Sequence, residues 1–360
     1  MARLNRKDEH IYYRMLKKPG RSDFSDIHFV HNCLPDLNLT DVSLNTAYLG
    51  RTFRSPLFIN AITGGTRTAL KINAVLAEVA RNNMLPMAVG SQMVALEDKK
   101  SEASFKIVRR INPHGIIWAN IGSYADPDMV RRAVKMIRAD GVQIHLNVSQ
   151  EAVMSDGDCQ FKGMVNRIRQ IVKSIDVPVI VKEVGFGIAK EQAGILTEYG
   201  VSAIDVGGKG GTNFLDIEKK RSGSKISGGL LSWGIPTAIS LLEVAAVARG
   251  KVDLFASGGL NAPIDIAKAL ALGANAVGLA GVPVYLLLNY GRAALENYIK
   301  TTEKELQLIM FMTGVASLRD LQRVPLVLSG LTAEWMQRRG LDPSGYADRS
   351  ENQNLTGDLR

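Results

Sequence analysis

Several residues that could carry chemistry stand at or just after the carboxyl ends of short apolar segments. Asn120 and His145 close two of these segments, and Lys182 closes the segment VPVIVK. A lysine in that position is costly to bury without a charged partner, so it indicates a function rather than packing. We therefore expect one polar face where strand ends converge. Its members are Thr63, Ser91, Asn120, His145, Asn147, Lys182, the loop 207–212, Gly258 and Gly281.

Two glycine turns late in the chain could hold an anion. Gly258 and Gly259 follow one apolar segment, and Gly281 follows the next. Glycines there let backbone N–H groups approach an anion closely, and the following helix adds its positive N-terminal end. Each turn alone is also explained as a tight turn. As a pair, after the seventh and eighth strands of a barrel, they are typical of a phosphate site.

Such a polar face suits a phosphorylated, planar cofactor such as FMN. Lys182 would lie near the N1 and C2 carbonyl edge, where a cation stabilises the anionic reduced ring. Asn120 and Ser91 would bond to the rim of the ring, although each alone is also explained as an ordinary strand-end residue.

The elements that position these residues form a repeating pattern of strand and helix. Eight short segments rich in Val, Ile and Ala, with little alternation, are typical of parallel strands buried on both faces. The sequence therefore predicts an α/β protein with a TIM (β/α)8 barrel. An open doubly wound sheet is the alternative, but residues 62–65 read ITGG where that fold usually has GxGxxG. The predicted strands are 57–61, 86–89, 115–121, 142–146, 179–181, 203–206, 254–256 and 276–279, and the predicted helices are 70–82, 127–139, 163–174, 190–199, 236–248 and 263–272.

The chain divides into three predicted regions. Residues 1–50 form an N-terminal arm with a first helix at 7–17. Residues 51–343 form the barrel with the cofactor site and extra C-terminal helices, and the polar residues 344–360 form a disordered tail. Two long connections, 147–163 and 207–235, follow strands and should carry lids and substrate contacts.

Composition narrows the class of protein. The 360 residues are 46% hydrophobic and 22% charged, which predicts a soluble globular chain. The net charge is +9, but the basic residues are scattered, so we expect an anionic metabolite and no nucleic acid. The N-terminus lacks a secretory signal, and glycines break the uncharged stretch 269–291, so no membrane contact is expected. Two cysteines without metal or disulfide spacing favour the cytoplasm.

The order of several motifs resembles the type 2 isopentenyl diphosphate isomerases, the FMN-dependent family that interconverts isopentenyl and dimethylallyl diphosphate. The resemblance runs from residue 6 to about residue 285. The most specific motifs are RKDEH at 6–10, HLN followed by QE at 145–151, and VGGKGGTNF at 206–214. Weaker ones are ITGG at 62–65, GSQ at 90–92, NIG at 120–122, KEVG at 182–185, WGIPT at 233–237 and SGG at 257–259.

The resemblance implies a role for each matched residue. The arm residues Arg6, Lys7 and His10 would close over the substrate diphosphate, and His145 and Gln150 would be catalytic. Glu151 would bind Mg²⁺, for which one carboxylate suffices because the ion keeps phosphate and water ligands. Other substrate contacts would come from Ser91, Gln92, Met93, Asn147 and Gln150. FMN would be held by Ile62, Thr63, Gly64, Ser91, Asn120, Lys182, Thr212, Gly258, Gly259, Ala280 and Gly281.

The reaction that this resemblance implies is a redox-neutral 1,3-proton shift, with reduced FMN as acid and base. NADPH or another reductant would reduce the flavin, and the chain would assemble as a homo-oligomer, a tetramer or octamer. Two other functions remain open from the residues themselves. One is an FMN-dependent barrel oxidoreductase of the 2-hydroxy acid oxidase or inosine monophosphate dehydrogenase type, although no histidine follows His145. The other is a non-catalytic barrel that binds RNA or a phosphorylated ligand.

Overall fold

Eight parallel strands close into a barrel in the computed structural model, which describes residues 8–9, 11–13, 20, 24–154, 157–222 and 227–349. Each predicted strand segment overlaps one barrel strand, so the predicted TIM barrel is confirmed. The barrel strands are β4 to β11, arranged in chain order with β11 paired to β4. The strands are β1 Ile27–Phe29, β2 Thr46–Tyr48, β3 Arg51–Phe53, β4 Leu57–Ile59, β5 Met87–Ala88, β6 Ile117–Gly122, β7 Gly141–Leu146, β8 Val179–Glu183, β9 Ala203–Asp205, β10 Asp253–Ser257, β11 Ala276–Leu279 and β12 Leu326–Leu328.

Helices surround the barrel and begin with recognisable caps. The Thr66 hydroxyl accepts a hydrogen bond from Ala69 N at 3.0 Å at the start of α1, and Asp126 caps α4 in the same way. Such caps satisfy backbone donors that a helix start leaves unpaired. The helices are α1 Arg67–Asn82, α2 Met93–Glu97, α3 Ala103–Ile111, α4 Pro127–Ile137, α5 Val148–Val153, α6 Met164–Ser174, α7 Lys190–Glu198, α8 Phe214–Ser222, α9 Gly228–Leu231, α10 Thr237–Ala248, α11 Pro263–Ala271, α12 Gly281–Met312, α13 Leu318–Leu321 and α14 Gly330–Arg338.

The barrel strands are buried on both faces, but the two faces differ. Side chains such as Ile144 and Val181 point outward into a large apolar cluster shared with the helices. Side chains such as Trp118, Ile180 and Phe255 point inward and form a separate apolar cluster. Because strand side chains alternate, the inward residue two positions further along each strand lies one layer higher. The helix-facing cluster holds the helices on the barrel, and the inward cluster fills its lower half.

A hairpin of β2 and β3 covers the end of the barrel at which the strands begin. Tyr48 stacks on Phe53 with ring centroids 4.1 Å apart, and Tyr48 also meets Trp118 and Phe255 edge to face. Leu49 N donates to Asp253 Oδ2 at 2.7 Å at the turn of this hairpin. The hairpin spans the predicted boundary between arm and barrel at residue 50, and it closes the lower end with aromatic side chains.

The C-terminal elements return to the body of the barrel. β12 pairs with β1 in an antiparallel two-stranded sheet. Glu243 on α10 is fully buried and accepts hydrogen bonds from Arg339 Nε at 2.7 Å and from Trp335 Nε1 at 2.8 Å. Burial works against the charge of Glu243, but the bonds from Arg339, Lys190 N and Trp335 lower its pKa to about 2. This ion pair, in which Glu243 is buried and Arg339 is partly exposed, fixes α14 against the barrel helices.

The structure adds detail to the two long connections, the first helix and the tail that the sequence predicts. The connection 147–163 contains α5, and the connection 207–235 contains α8 and α9. The predicted first helix at 7–17 is helical at 8–9 and 11–13, and its other residues lie outside the described part. Within the predicted tail, residues 344–346 form a 3-10 turn and Arg349 donates to Ala271 O at 2.8 Å. None of the helices in the described ranges combines the length and apolar character needed to cross a membrane.

Candidate active site

The carboxyl ends of the barrel strands surround one cavity. Fifteen of the predicted site residues line it, and they come from the loops or strand ends of most β/α units. Asn120 and His145 lie near the ends of β6 and β7, inside the predicted strands, and Lys182 lies within β8 because that strand extends to Glu183. The predicted residues at the cavity are Ile62, Thr63, Ser91, Met93, Asn120, His145, Asn147, Gln150, Glu151, Lys182, Thr212, Gly258, Gly259, Ala280 and Gly281.

Two predicted residues do not line the cavity. Gln92 is completely buried, and its amide donates to Ala133 O at 2.9 Å while its Oε1 accepts from Asn120 N at 3.1 Å. The prediction that the Gln92 side chain contacts substrate is therefore corrected: it supports the Asn120 backbone. A Cβ on Gly64 would lie 2.0 Å from the Phe105 ring, so this glycine permits close packing beside the cavity. The predicted Arg6, Lys7 and His10 lie outside the described residues.

The floor of the cavity is a layer of inward polar side chains. Asn60 Nδ2 donates to Asp205 Oδ2 at 2.7 Å, and Gln143 Nε2 donates to Asn60 Oδ1 at 3.0 Å. Asn120 Nδ2 lies 3.4 Å from Gln143 Oε1, and Asn120 Oδ1 lies 2.7 Å from His145 Nδ1. All five side chains belong to one hydrogen-bonded chain that crosses the barrel. Asn60, Gln143 and Asp205 were not predicted as site residues.

Lys182 and Glu183, adjacent at the end of β8, are both buried at the cavity wall. Lys182 Nζ donates to Glu183 O at 2.8 Å, and its side chain is buried. Glu183 Oε2 accepts backbone N–H bonds from Val184 and Gly185, each at 2.7 Å. Burial raises the pKa of Glu183 to about 7, against the opposing effect of those backbone donors and of Lys182. The two residues place an amine and a titratable carboxyl group beside the cavity.

The glycine turns after β10 and β11 meet at the same wall. Gly258 and Gly259 adopt positive φ values of 110° and 80°, which favour glycine. A Cβ on Gly258 would lie 2.2 Å from Gly208 O, so the two loops approach each other more closely than other residues allow. Gly281 begins α12, whose N-terminal N–H groups therefore face the cavity. The two turns that the sequence predicts as an anion cradle thus stand side by side at the cavity.

Gln150 is oriented by a carboxylate that the sequence did not reveal. Gln150 Nε2 donates to Glu218 Oε1 at 3.2 Å, and Glu218 is fully buried. The other oxygen of Glu218 accepts from Arg221 Nε at 2.7 Å. Because the amide nitrogen of Gln150 is turned toward α8, its oxygen is the end presented to the cavity. In the sequence, Glu218 and Arg221 have the i,i+3 spacing of an ordinary solvated helix face.

Asn147 and Glu151, at the start of α5, form a polar pair at the mouth of the cavity. Asn147 Nδ2 donates to Glu151 Oε1 at 2.7 Å, and Asp158 N donates to Glu151 Oε2 at 3.0 Å. Two buried oxygens at the cavity have no hydrogen-bond partner within the described residues, namely Asn147 Oδ1 and Thr63 Oγ1. Buried polar atoms are normally paired, so these two atoms indicate where a ligand binds.

These features define the class of protein: a barrel with a polar, glycine-lined mouth of the kind used to bind phosphorylated ligands. A sequence profile described as FMN-dependent dehydrogenase matches residues 147–327. An isopentenyl-diphosphate delta-isomerase from Geobacillus sp. is 50% identical over 97% of this chain and 100% of its own length. One from Moorella thermoacetica is 43% identical over 94% of this chain and 97% of its own length. The chain belongs to the isopentenyl-diphosphate delta-isomerase family, which confirms the resemblance.

Solved structures with the same fold come from other flavin proteins. Mandelate oxidase with a difluorinated hydroxy acid has a TM-score of 0.65 at 20% identity, over 91% of this chain and 99% of its own. A flavocytochrome b2 variant has a TM-score of 0.63 at 20% identity, over 88% of this chain and 81% of its own. At this identity the likeness concerns the fold, and it agrees with the closed barrel.

Proposed function

We propose that this protein is an isopentenyl-diphosphate delta-isomerase that interconverts isopentenyl and dimethylallyl diphosphate by a redox-neutral 1,3-proton shift. The observation that carries the proposal is the convergence of His145, Asn147, Gln150 and Glu151 with Lys182 in one cavity. These residues belong to the motifs that the family resemblance rests on. The names of the relatives support the same reaction.

The cavity suits FMN at the wall formed by Thr63, Lys182 and Gly258. Thr63 Oγ1 is buried and needs a partner, which the rim of a flavin ring could provide. The N-terminus of α12 and the turn at Gly258 offer backbone N–H groups to a phosphate. Lys182 would hold the negative charge of the reduced ring. Bound in its reduced form, FMN would supply an acid and base group and a negative charge next to the substrate.

Glu151 is the residue we assign to Mg²⁺. Within the described part of the chain, no group of three or more His, Cys, Asp or Glu residues could hold a metal on its own. A metal at Glu151 would therefore take most of its ligands from the substrate diphosphate and water, which is common for Mg²⁺. The nearby Asn147 Oδ1, which lacks a partner within the described residues, adds one polar contact for the same ligands.

Proton transfer needs groups that the chain holds in fixed orientations. The shift adds a proton at the terminal methylene and removes one from the carbon on the other side of the double bond. Glu218 orients the Gln150 amide, and Asn120 orients the His145 ring. These two side chains are the ones we assign to guiding protons at the cavity, and apolar neighbours such as Met93 and Val284 would exclude water.

The N-terminal arm is the part we assign to closure over the diphosphate. Its described residues touch the mouth: Ile11 lines the cavity, and Thr66 Oγ1 donates to Asp8 Oδ1 at 2.6 Å. Asn261 also donates to Gly20 O. These contacts support a position of the arm over the cavity, from which the charged motif at 6–10 would reach the substrate.

Three further assignments belong to this proposal. NADPH or another reductant would reduce the flavin, and the chain would act as a homo-oligomer, a tetramer or octamer, in the cytoplasm. The free, exposed thiols of Cys33 and Cys159 agree with a reducing compartment. Light scattering after gel filtration measures the assembly directly.

The experiment that tests the reaction follows it in D₂O with pre-reduced FMN, Mg²⁺ and no further reductant. An isomerase should give many turnovers, with deuterium entering the allylic product and the flavin still reduced. The rival function is a flavin oxidoreductase, which the profile match favours, but residues 147–327 contain no histidine to serve as its base. Product limited to one equivalent per flavin, with the flavin oxidised in step, would refute the isomerase and support the oxidoreductase.

A further inference from the structure

The polar layer beneath the cavity runs from a carboxylate at one end to a histidine at the other. Asp205 and Gln143 are completely buried, and Asn60 and Asn120 are almost so. From the geometry we infer that Asp205 is a positioning residue, which fixes the proton of neutral His145 on Nδ1 through these three amides. The inference concerns the protein itself and rests on the proposed function only for its catalytic consequence.

The direction of the chain is set where Asp205 meets Asn60, an amide whose oxygen also accepts from a backbone N–H. Its Oδ1 accepts from Ser257 Oγ at 2.6 Å and from Gly207 N at 3.3 Å, and its Oδ2 accepts from Asn60 Nδ2. Backbone N–H groups can only donate, so Oδ1 must be an acceptor. Ala61 N donates to Asn60 Oδ1 at 2.8 Å, which leaves only the NH₂ group of Asn60 to face Asp205. Both carboxyl oxygens of Asp205 therefore accept hydrogen bonds.

Each amide then passes this direction to the next one. An amide has one accepting and one donating end, so an amide held at one end has a fixed other end. The accepting oxygen of Asn60 requires the NH₂ group of Gln143, at 3.0 Å. The oxygen of Gln143 then faces the NH₂ group of Asn120 at 3.4 Å, the longest contact of the series. The Asn120 oxygen is left to face His145.

The contact between Asn120 and His145 decides which ring nitrogen of neutral His145 carries the hydrogen. Asn120 Oδ1 is an acceptor 2.7 Å from His145 Nδ1, so that nitrogen must carry a hydrogen. In the neutral ring the lone pair then lies on Nε2. His145 can therefore gain a proton at Nε2 while Asn120 keeps its bond to Nδ1–H. The Asp205 side chain is fully buried beneath the cavity. It therefore acts on His145 through the three amides and not by direct contact.

The test compares two breaks in the chain with a matched control. Asp205→Asn replaces an acceptor oxygen with a donor, and Gln143→Met removes the middle link while leaving the carboxylate in place. Asp253→Asn is the control, because Asp253 also accepts a backbone N–H, from Leu49, but at the opposite end of the barrel. Full-length protein with its flavin is labelled with nitrogen-15 histidine, and His145→Gln identifies the signals of that ring in the solid-state spectrum.

We expect neutral His145 in the wild type and in Asp253→Asn to show a protonated Nδ1 and an unprotonated Nε2. In Asp205→Asn and Gln143→Met the proton should be shared between the two nitrogens, and kcat should fall roughly 10–100-fold with a smaller change in KM. A wild-type ring protonated at Nε2 would overturn the inference. Chain variants that both fold and keep the wild-type pattern of protonation would overturn it as well.

The design separates this inference from the proposed function. The nitrogen spectrum is recorded without substrate, so it reports the tautomer even if the wild type fails to isomerise isopentenyl diphosphate. If Asp205→Asn does not fold, Gln143→Met decides the matter, because methionine keeps the length of the side chain and removes both hydrogen bonds.

Discussion

The buried carboxyl group of Glu183 should make the stability of this protein depend on pH. Burial raises the pKa of Glu183 from its ordinary value of 4.5 to about 7. The folded chain therefore holds a proton that the unfolded chain releases between these values. The stabilisation is complete below about pH 4.5 and is lost as the pH rises through 7. At 1.36 kcal/mol for each pKa unit, the full loss is on the order of 3 kcal/mol.

The assay is urea unfolding at pH 5 and pH 8, with equal flavin content, for the wild type and Glu183→Gln. Glutamine imitates the protonated acid: its oxygen can accept from Val184 N and Gly185 N as Glu183 Oε2 does. Between these pH values the wild type should lose roughly 2–3 kcal/mol more unfolding free energy than the variant, because other titrating groups contribute equally to both. Equal losses in both proteins would show that Glu183 is already ionised at pH 5 in the fold, and the reasoning would fail.

Three further substitutions test the cavity. Lys182→Ala should weaken FMN binding by about tenfold or more. Lys268→Ala is the control, because it loses a similar hydrogen bond from Nζ to a backbone oxygen but should retain the flavin. Flavin fluorescence measures binding in both variants. Glu151→Gln should raise the Mg²⁺ concentration needed for half-maximal activity, and unchanged metal dependence would remove Glu151 from the metal site. Gly258→Ala should abolish flavin retention because the new Cβ would clash with the backbone of Gly208. Gly250→Ala is the control: its φ is also positive, at 77°, but the space around it is open, so it should cost only about 1 kcal/mol of stability in thermal unfolding.

The barrel could be predicted because its strands are short, apolar and separated by turns. Segments such as 179–181 contain only residues that suit burial on both faces, and six of the eight are followed by a predicted helix. Helices α2, α3, α5, α8 and α9 were not predicted because each has nine residues or fewer, and the last three lie inside long loops, where propensity is weak and tertiary contacts decide. The hairpin of β2 and β3 was missed because its strands have three residues each.

The polar floor of the cavity was predictable in part. Six barrel strands carry two inward residues separated by one position, and the second of each pair is polar or charged. The carboxyl ends of the predicted strands indicated Asn120, His145 and Lys182. The two-residue period of inward side chains also identifies Asn60, Gln143 and Asp205, which were not predicted as site residues. The pairs are Phe58 and Asn60, Trp118 and Asn120, Gln143 and His145, Ile180 and Lys182, Ala203 and Asp205, and Phe255 and Ser257.

Other site features depend on contacts between distant segments. Glu218 reaches Gln150 across 68 positions of the chain, so no local pattern reveals that it orients an amide at the cavity. Gln92 stands in a family motif next to Ser91, yet its side chain turns toward Ala133. A sequence motif gives the order of residues, whereas the direction of each side chain follows from the backbone at that position.

The division of the barrel interior into two layers explains how the fold tolerates this site. The lower layer, with Trp118 and Phe255, buries aromatic surface that stabilises the barrel. In the upper layer a buried amide without a partner would cost about 1–3 kcal/mol, but Asn60 and Gln143 are bonded at both ends. Thr63 Oγ1 and Asn147 Oδ1 line the cavity and lack partners within the described residues. These two unmet hydrogen bonds thus lie where a ligand can form them, so ligand binding should stabilise the fold.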